Sequence, residues 1–111
     1  MIKRSNSYTG TATWFSPEKN GGNYGACWGE WIDDDSEIVA LNGDQYGDMD
    51  GNSKWCGKRV QINGPHGTVT AKIMDACPGC GWGDLDLTPT LFKRVVGDLD
   101  KGVGEIKWKV L

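Results

Sequence analysis

The chain has 111 residues, 17 glycines, six tryptophans and a formal net charge of −3. That length suits one domain, 1–111, with a modest core. No Lys/Arg stripe stands out and no apolar run could span a bilayer, so nucleic acid and membrane are not expected partners.

Glycine content and apolar runs of strand length point to a mostly β fold with many turns. Met1-Ile2-Lys3-Arg4 has a charged start but no apolar stretch after it, unlike a signal peptide. The chain reads as a mature form with an added Met1 or as a cytosolic protein, with residues 1–6 a flexible tail. Ser5 to Phe15 is the first expected strand, carried by Tyr8, Thr9, Thr11, Thr13, Trp14 and Phe15. Ser16 to Gly25 is a loop, and Gly25 to Gly29 a tight cross-linked segment. Asp33-Asp34-Asp35-Ser36 is an acidic turn with a solvated face; it lacks calcium-loop spacing. Ile38 to Leu41 is a short buried strand, and Asn42 to Lys54 a polar loop.

Arg59 to Asn63 alternates, with Val60 and Ile62 inward. Gly64-Pro65-His66-Gly67 turns the chain into a return strand, Thr68 to Met74. His66, the single histidine, is expected at the surface of that turn. Leu85 to Leu87 is another short strand. Thr88 and Pro89 mark a helix start as N-cap and first helical residue. Leu91, Phe92, Val95 and Val96 form the helix's buried face, and Gly97 ends it. Glu105 to Leu111 closes the chain as a strand, with Ile106, Trp108 and Val110 on one side and Trp108 in the core. The other tryptophans suit partly exposed positions that stack on sugars or anchor a protein interface. No repeat, linker or second domain is visible.

Four cysteines allow three pairings. Cys27–Cys56 and Cys77–Cys80 are expected, which implies an oxidising compartment. The first would close a Gly- and Asp-rich loop and the second would tighten the Pro78-Gly79 turn. A four-thiolate zinc site and a redox Cys-x-x-Cys motif are the competing uses.

The stretch from Asp75 to Pro89 is the most informative. Two cysteines lie three residues apart, with Asp75 before them and Asp86 after. A carboxylate pinned at each end of a cross-linked loop can build a shallow polysaccharide groove.

Several pieces, in order, resemble the six-stranded double-psi β-barrel of expansins and their barwin-like and rare lipoprotein A-like relatives. Gly10-Thr11-Ala12-Thr13-Trp14-Phe15 resembles their opening motif, and Gly25-Ala26-Cys27 their Gly-Ala-Cys element. Cys56-Gly57 resembles the Cys-Gly strand to which family cysteines bridge. Val69 to Asp75 resembles the strand ending in aspartate. Asp86-Leu87-Thr88-Pro89 with Phe92 resembles Asp-Leu-Ser-Pro-x-x-Phe, and Gly104 to Val110 the terminal Ile-x-Trp strand. The resemblance implies that barrel, with one short helix before the last strand. A lone barrel with four cysteines is most similar to the fungal loosenins, which implies secretion and non-hydrolytic loosening of cellulose or chitin.

By position, Thr13, Asp75 and Asp86 match polar residues of the family groove, and Asp86 matches the aspartate most closely tied to activity. Related endoglucanases carry a general base just after the first strand's aromatics, where this chain has Ser16. Inverting hydrolysis needs two carboxyl groups flanking a water, so the resemblance leans against an enzyme. The lytic transglycosylase's histidine is replaced by Asn42, and a bacterial groove tyrosine by Cys77.

The expected mechanism has Asp86 and Asp75 hydrogen-bonding sugar hydroxyls, with burial beside a second carboxylate raising one pKa. Thr13 adds a polar contact, while Trp14 and Trp82 stack. No cofactor or metal is expected, and the chain is expected to be a monomer. The bland alternative is that both aspartates merely pin loops. Another reading is an inhibitor of papain-like proteases, binding through Trp28, Trp31 and Trp55. A third is weak glycosidase or lytic transglycosylase activity, on cell-wall polymers including peptidoglycan, if Glu18 or Asp33 faces Asp86.

Overall fold

Alternating burial builds the strands. In β6 (Gly104–Val110), Ile106 and Trp108 are buried between exposed Glu105, Lys107 and Lys109. In β3 (Arg59–Gly64), Val60 and Ile62 do the same. β5 (Leu85–Leu87) and β4 (Gly67–Cys77) as far as Ile73 follow this pattern, β1 (Ser7–Trp14) buries only Ala12, and β2 (Ile38–Asn42) is buried at every position. The computed structural model describes residues 7–111, and the tail expected for residues 1–6 lies outside them.

The strands close into a barrel in the order β1-β5-β2-β4-β3-β6. Closure pairs every strand on both sides and removes free edges. β1 with β5 and β2 with β4 run parallel, whereas the other four pairings are antiparallel. Pro65-His66 turns β3 into β4, with Gly64 opposite Gly67, and His66 is exposed there.

Two helices brace the barrel. The earlier one, α1 (Gly43–Tyr46), lies within residues read from sequence as polar loop. Four residues are too few for a periodic signal, and Gly43 and Asp44 are poor helix formers. It forms because Asn42 caps it, accepting a hydrogen bond from the Gln45 amide at 2.9 Å.

The later helix, α2 (Pro89–Val95), starts where expected, with Leu91, Phe92, Val95 and Val96 buried and Gly97 beyond its end at φ 126°. Thr88 holds the N-cap position, but its hydroxyl makes no cap bond. It donates instead to the Ser36 carbonyl at 2.6 Å, tying the helix entry to the acidic turn. A 3₁₀ turn, Leu99–Lys101, leads into β6.

The acidic turn is more than a solvated face. Asp34 accepts from the Ser16 hydroxyl at 2.8 and 2.9 Å, and so holds the Pro17–Gly21 turn against it.

The disulfides are Cys27–Cys56 and Cys77–Cys80, each with Cα atoms 5.5 Å apart. Neither a four-thiolate zinc site nor a free redox pair is present, because all four sulfurs are consumed. Cys27–Cys56 spans 29 residues, a closure that contributes about 3.5 kcal/mol in the chain-entropy model.

Candidate functional site

Register brings the predicted polar residues into one row. Thr13 of β1 pairs with Asp86 of β5, Asp86 with Ala40 of β2, and Ala40 with Asp75 of β4. Leu85 and Leu87 point into the core, so Asp86 between them faces outward. Asp75 reaches this level through an irregularity: Val39 pairs with Ile73 but Ala40 with Asp75, which skips Met74. Such a bulge re-aims a side chain. The two carboxylates thus stand on strands about 10 Å apart, separated by the Ala40 methyl.

The Thr13 hydroxyl donates to Asp86 Oδ1 at 2.9 Å. Asp75 Oδ1 accepts from the Ala26 and Ala76 amides, both at 2.9 Å. Asp75 therefore pins the 25–27 segment to β4 while standing in the row. Burial pushes the Asp86 pKa up from 3.8, the Thr13 bond opposes this, and the Asp75 charge adds a further upward push. Burial is the largest of these influences on Asp86, and the Asp75 charge only adds to it.

The loop before Asp86 is fixed from beneath by residues of the segment expected as a polar loop. Buried Asn42 donates to Gln45 Oε1 at 2.7 Å and to the Asp84 carbonyl at 3.0 Å, and the Gly83 amide donates to Gln45 Oε1 at 3.1 Å. From the other side, Trp108 Nε1 donates to the Gly83 carbonyl at 2.8 Å. Asp84, also missed, accepts from the Thr11 and Gly81 amides. A Cβ on Gly10 would fall on the Gly83 carbonyl oxygen. Asn42 followed three residues later by Gln45 was the available signal, since that spacing marks a capped helix start.

Cys77 and Cys80 border the row, their sulfurs and an Asp86 carboxylate oxygen lying within 4.8 Å of one another. Trp82, 63% exposed, stands on the same loop between Cys80 and Asp86. Trp14 is set apart from Thr13. It pairs with Leu87 on the neighbouring row, packs against the core and donates its indole N–H to the Leu99 carbonyl at 3.0 Å.

A second aromatic group occupies the 24–31 loop. Tyr24 and Trp31 are exposed and meet edge to face, centroids 5.6 Å apart. Trp28 is exposed at φ 60°, a left-handed backbone rare for a bulky residue, with its amide held by Asn52 Oδ1 at 2.8 Å. Trp55 does not join them. It is half-buried and packs edge-on against Tyr8 and Trp108, because the Cys56 bridge draws it to the barrel wall. Of the extra carboxylates considered, Glu18 accepts from the Asp34 amide, and Asp33 from the Asp35 amide and Ser36 hydroxyl. It is Asp34 that stands beside Ser16.

No family model matches the chain. Among curated proteins it is 38% identical over 76 residues to an Arthroderma benhamiae protein called "Allergen Asp f 7 homolog", covering 68% of this chain and 26% of that one. It is 33% identical over 82 residues to the expansin YoaJ of Bacillus subtilis, covering 72% and 34%. The chain thus spans about a quarter to a third of the length of these relatives. Among solved structures, the Streptomyces papain inhibitor superposes with a TM-score of 0.78 at 29% identity, over 95% of this chain and 94% of that one. A point-mutant Clavibacter michiganensis expansin in complex with cellohexaose gives 0.75 at 26%, over 95% and 50%. The closed six-stranded barrel, its two bridges and these likenesses make the chain an expansin-like protein of the double-psi β-barrel superfamily.

Proposed function

We propose that the protein is a secreted, monomeric, loosenin-like factor that binds cell-wall polysaccharide along Thr13, Asp86 and Asp75 and loosens it without cutting. The observation that carries this reading is the outward row itself, in which a threonine-bonded, partly buried Asp86 stands level with Asp75. A carboxyl with a raised pKa can donate a proton to a sugar oxygen when neutral and accept from a hydroxyl when charged. Trp82 supplies a flat ring beside the row for an apolar sugar face, worth roughly 1 kcal/mol. Chains held this way lose hydrogen bonds to their neighbours in the solid and slide. Bond cleavage is no part of the proposal, because Ser16 stands where related hydrolases carry a base. Cellohexaose in the similar expansin supports a β-1,4-glucan as first ligand.

The test is a tryptophan-fluorescence titration with cellohexaose. Saturable quenching that weakens about five- to tenfold in Trp82→Ala is expected, matching a lost stacking contact. Equal affinity in wild type and Trp82→Ala would remove Trp82 from the site, and no saturable change would count against the glycan reading.

A second reading has its own observation. Exposed Tyr24, Trp28 and Trp31 share one disulfide-braced loop, and the protein named a papain inhibitor matches nearly end to end. Aromatic anchors on a rigid loop suit a protease interface. Papain inhibition lost in Trp28→Ala but kept in Asp86→Asn would establish it, and no inhibition by the wild type would dismiss it.

A further inference from the structure

We propose that reduction of the Cys77–Cys80 disulfide opens a binding site for a zinc-type divalent cation, formed by the two thiolates and the Asp86 carboxylate. The three ligand atoms already lie within 4.8 Å of one another. Around tetrahedral zinc, sulfur and oxygen ligands stand about 3.5–3.8 Å apart, given bond lengths of about 2.0–2.3 Å. Reaching that arrangement takes side-chain rotation of roughly an ångström or two per atom, with no strand moved.

The scaffold favours this. Cys77 ends β4 and Asp86 is the middle residue of β5, and both strands pair with β2. Cys80 is returned to Cys77 by the Pro78-Gly79 turn, whose Cys80 amide donates to the Cys77 carbonyl at 3.3 Å. That backbone bond keeps both sulfurs on one side whether or not they are joined. Cys-x-x-Cys is the spacing from which one turn gives zinc two thiolates. The soft thiolates select zinc-like ions over magnesium or calcium. Three protein ligands leave a fourth position for water or another ligand. While the disulfide is intact neither sulfur is a thiolate, so the site is closed.

Access discriminates between the bridges. Cys77 and Cys80 are both half-buried beside exposed Pro78 and Gly79, whereas the other bridge is half-buried only at Cys56 and its Cys27 sulfur is fully buried. A dithiol reductant therefore meets the Cys77–Cys80 bond first. One of its thiolates attacks a protein sulfur, the S–S bond breaks, and its second thiol resolves the mixed disulfide. Two electrons pass to the protein, giving two thiols and a disulfide of the reductant. The cation then displaces the two thiol protons. The site does not depend on the glycan reading, although on that reading a bound cation would take Asp86 from the sugar.

The test uses the full chain, reduced by a non-chelating phosphine until thiol mapping shows Cys77 and Cys80 free and Cys27–Cys56 intact. Zinc is titrated against a chromophoric chelator, and cobalt(II) reports ligand type. The expected result is one ion per reduced chain, thiolate-to-cobalt charge transfer and an unchanged near-UV dichroism spectrum. The oxidised chain and the Cys77→Ser/Cys80→Ser double variant should not bind. Asp86→Asn should weaken binding at least about tenfold, since even outer-shell losses cost that much. Equal binding by the oxidised chain or the serine variant, equal affinity in Asp86→Asn, binding only with loss of the dichroism, or no binding would each overturn the proposal.

Discussion

Asp86 is governed by opposing influences whose net direction can be measured. Burial and the Asp75 charge hold its proton on, while the Thr13 hydroxyl favours the charged form. Thr13→Val should therefore raise the Asp86 pKa further, as read by carboxyl-carbon NMR titration. The folded state also binds this proton more tightly than the unfolded chain, whose value is near 3.8. The stability Asp86 contributes is full below that value and is lost as pH rises through the raised folded pKa. Asp86→Asn should match the wild type at the acid end and become progressively the more stable of the two as pH rises through that window. Urea midpoints across the range would show it, and a constant difference would deny the shift. Trp28 poses another residue-scale question. A left-handed backbone costs a bulky residue about 1–2 kcal/mol, so Trp28→Gly should leave stability within about 1 kcal/mol of wild type. A larger loss by thermal unfolding would mean that the ring is needed for the fold.

Elements were legible where local composition or alternation marks them. β3 and β6 could be read because every second residue is apolar, β2 as a short apolar run, β1 from its β-forming residues, and α2 because Pro89, the apolar face and Gly97 mark it. What could not be read was set by contacts far along the chain. The Thr88 hydroxyl goes to Ser36, and Asp34 goes to Ser16; no local pattern encodes either. The same holds for the site. Resemblance named Thr13, Asp75 and Asp86 as candidates, but their common level depends on the Met74 bulge, which only pairing reveals. The supporting Asn42 and Gln45 were passed over because a one-turn helix has no periodicity. Their importance is testable: Asn42→Ala removes the α1 cap and two donor bonds, and should cost about 2–3 kcal/mol in urea unfolding. Glycan affinity should fall with it, since the Gly83-Asp84 backbone would lose its anchor next to Asp86.

At the scale of the molecule, closure joins segments far apart in sequence. β1 lies between β5 and β6, and both parallel pairs connect distant strands. Such non-local pairing folds in milliseconds to seconds. It also fits the covalent tie at Cys56, because residues 47–56 contain no buried side chain to order that segment. The Cys27→Ala/Cys56→Ala double variant should lose about 3.5 kcal/mol, seen as a lower urea midpoint. A loss under about 1 kcal/mol would mean that the loop is ordered without the bridge. Trp82 stands on the loop before Asp86, and Tyr24 and Trp31 on the loop that Asp75 holds through the Ala26 amide, so the polysaccharide and protease readings rest on different aromatic residues of one molecule.

The central claim is that Asp86 holds polysaccharide without cutting it. The most direct measurement is a binding isotherm on insoluble cellulose and chitin, with reducing-sugar release followed in the same tubes, for wild type and Asp86→Asn. The account predicts saturable binding by the wild type, no sugar release, and clearly weaker binding by the folded variant. Sugar release that disappears in Asp86→Asn, or binding that the substitution leaves unchanged, would contradict it.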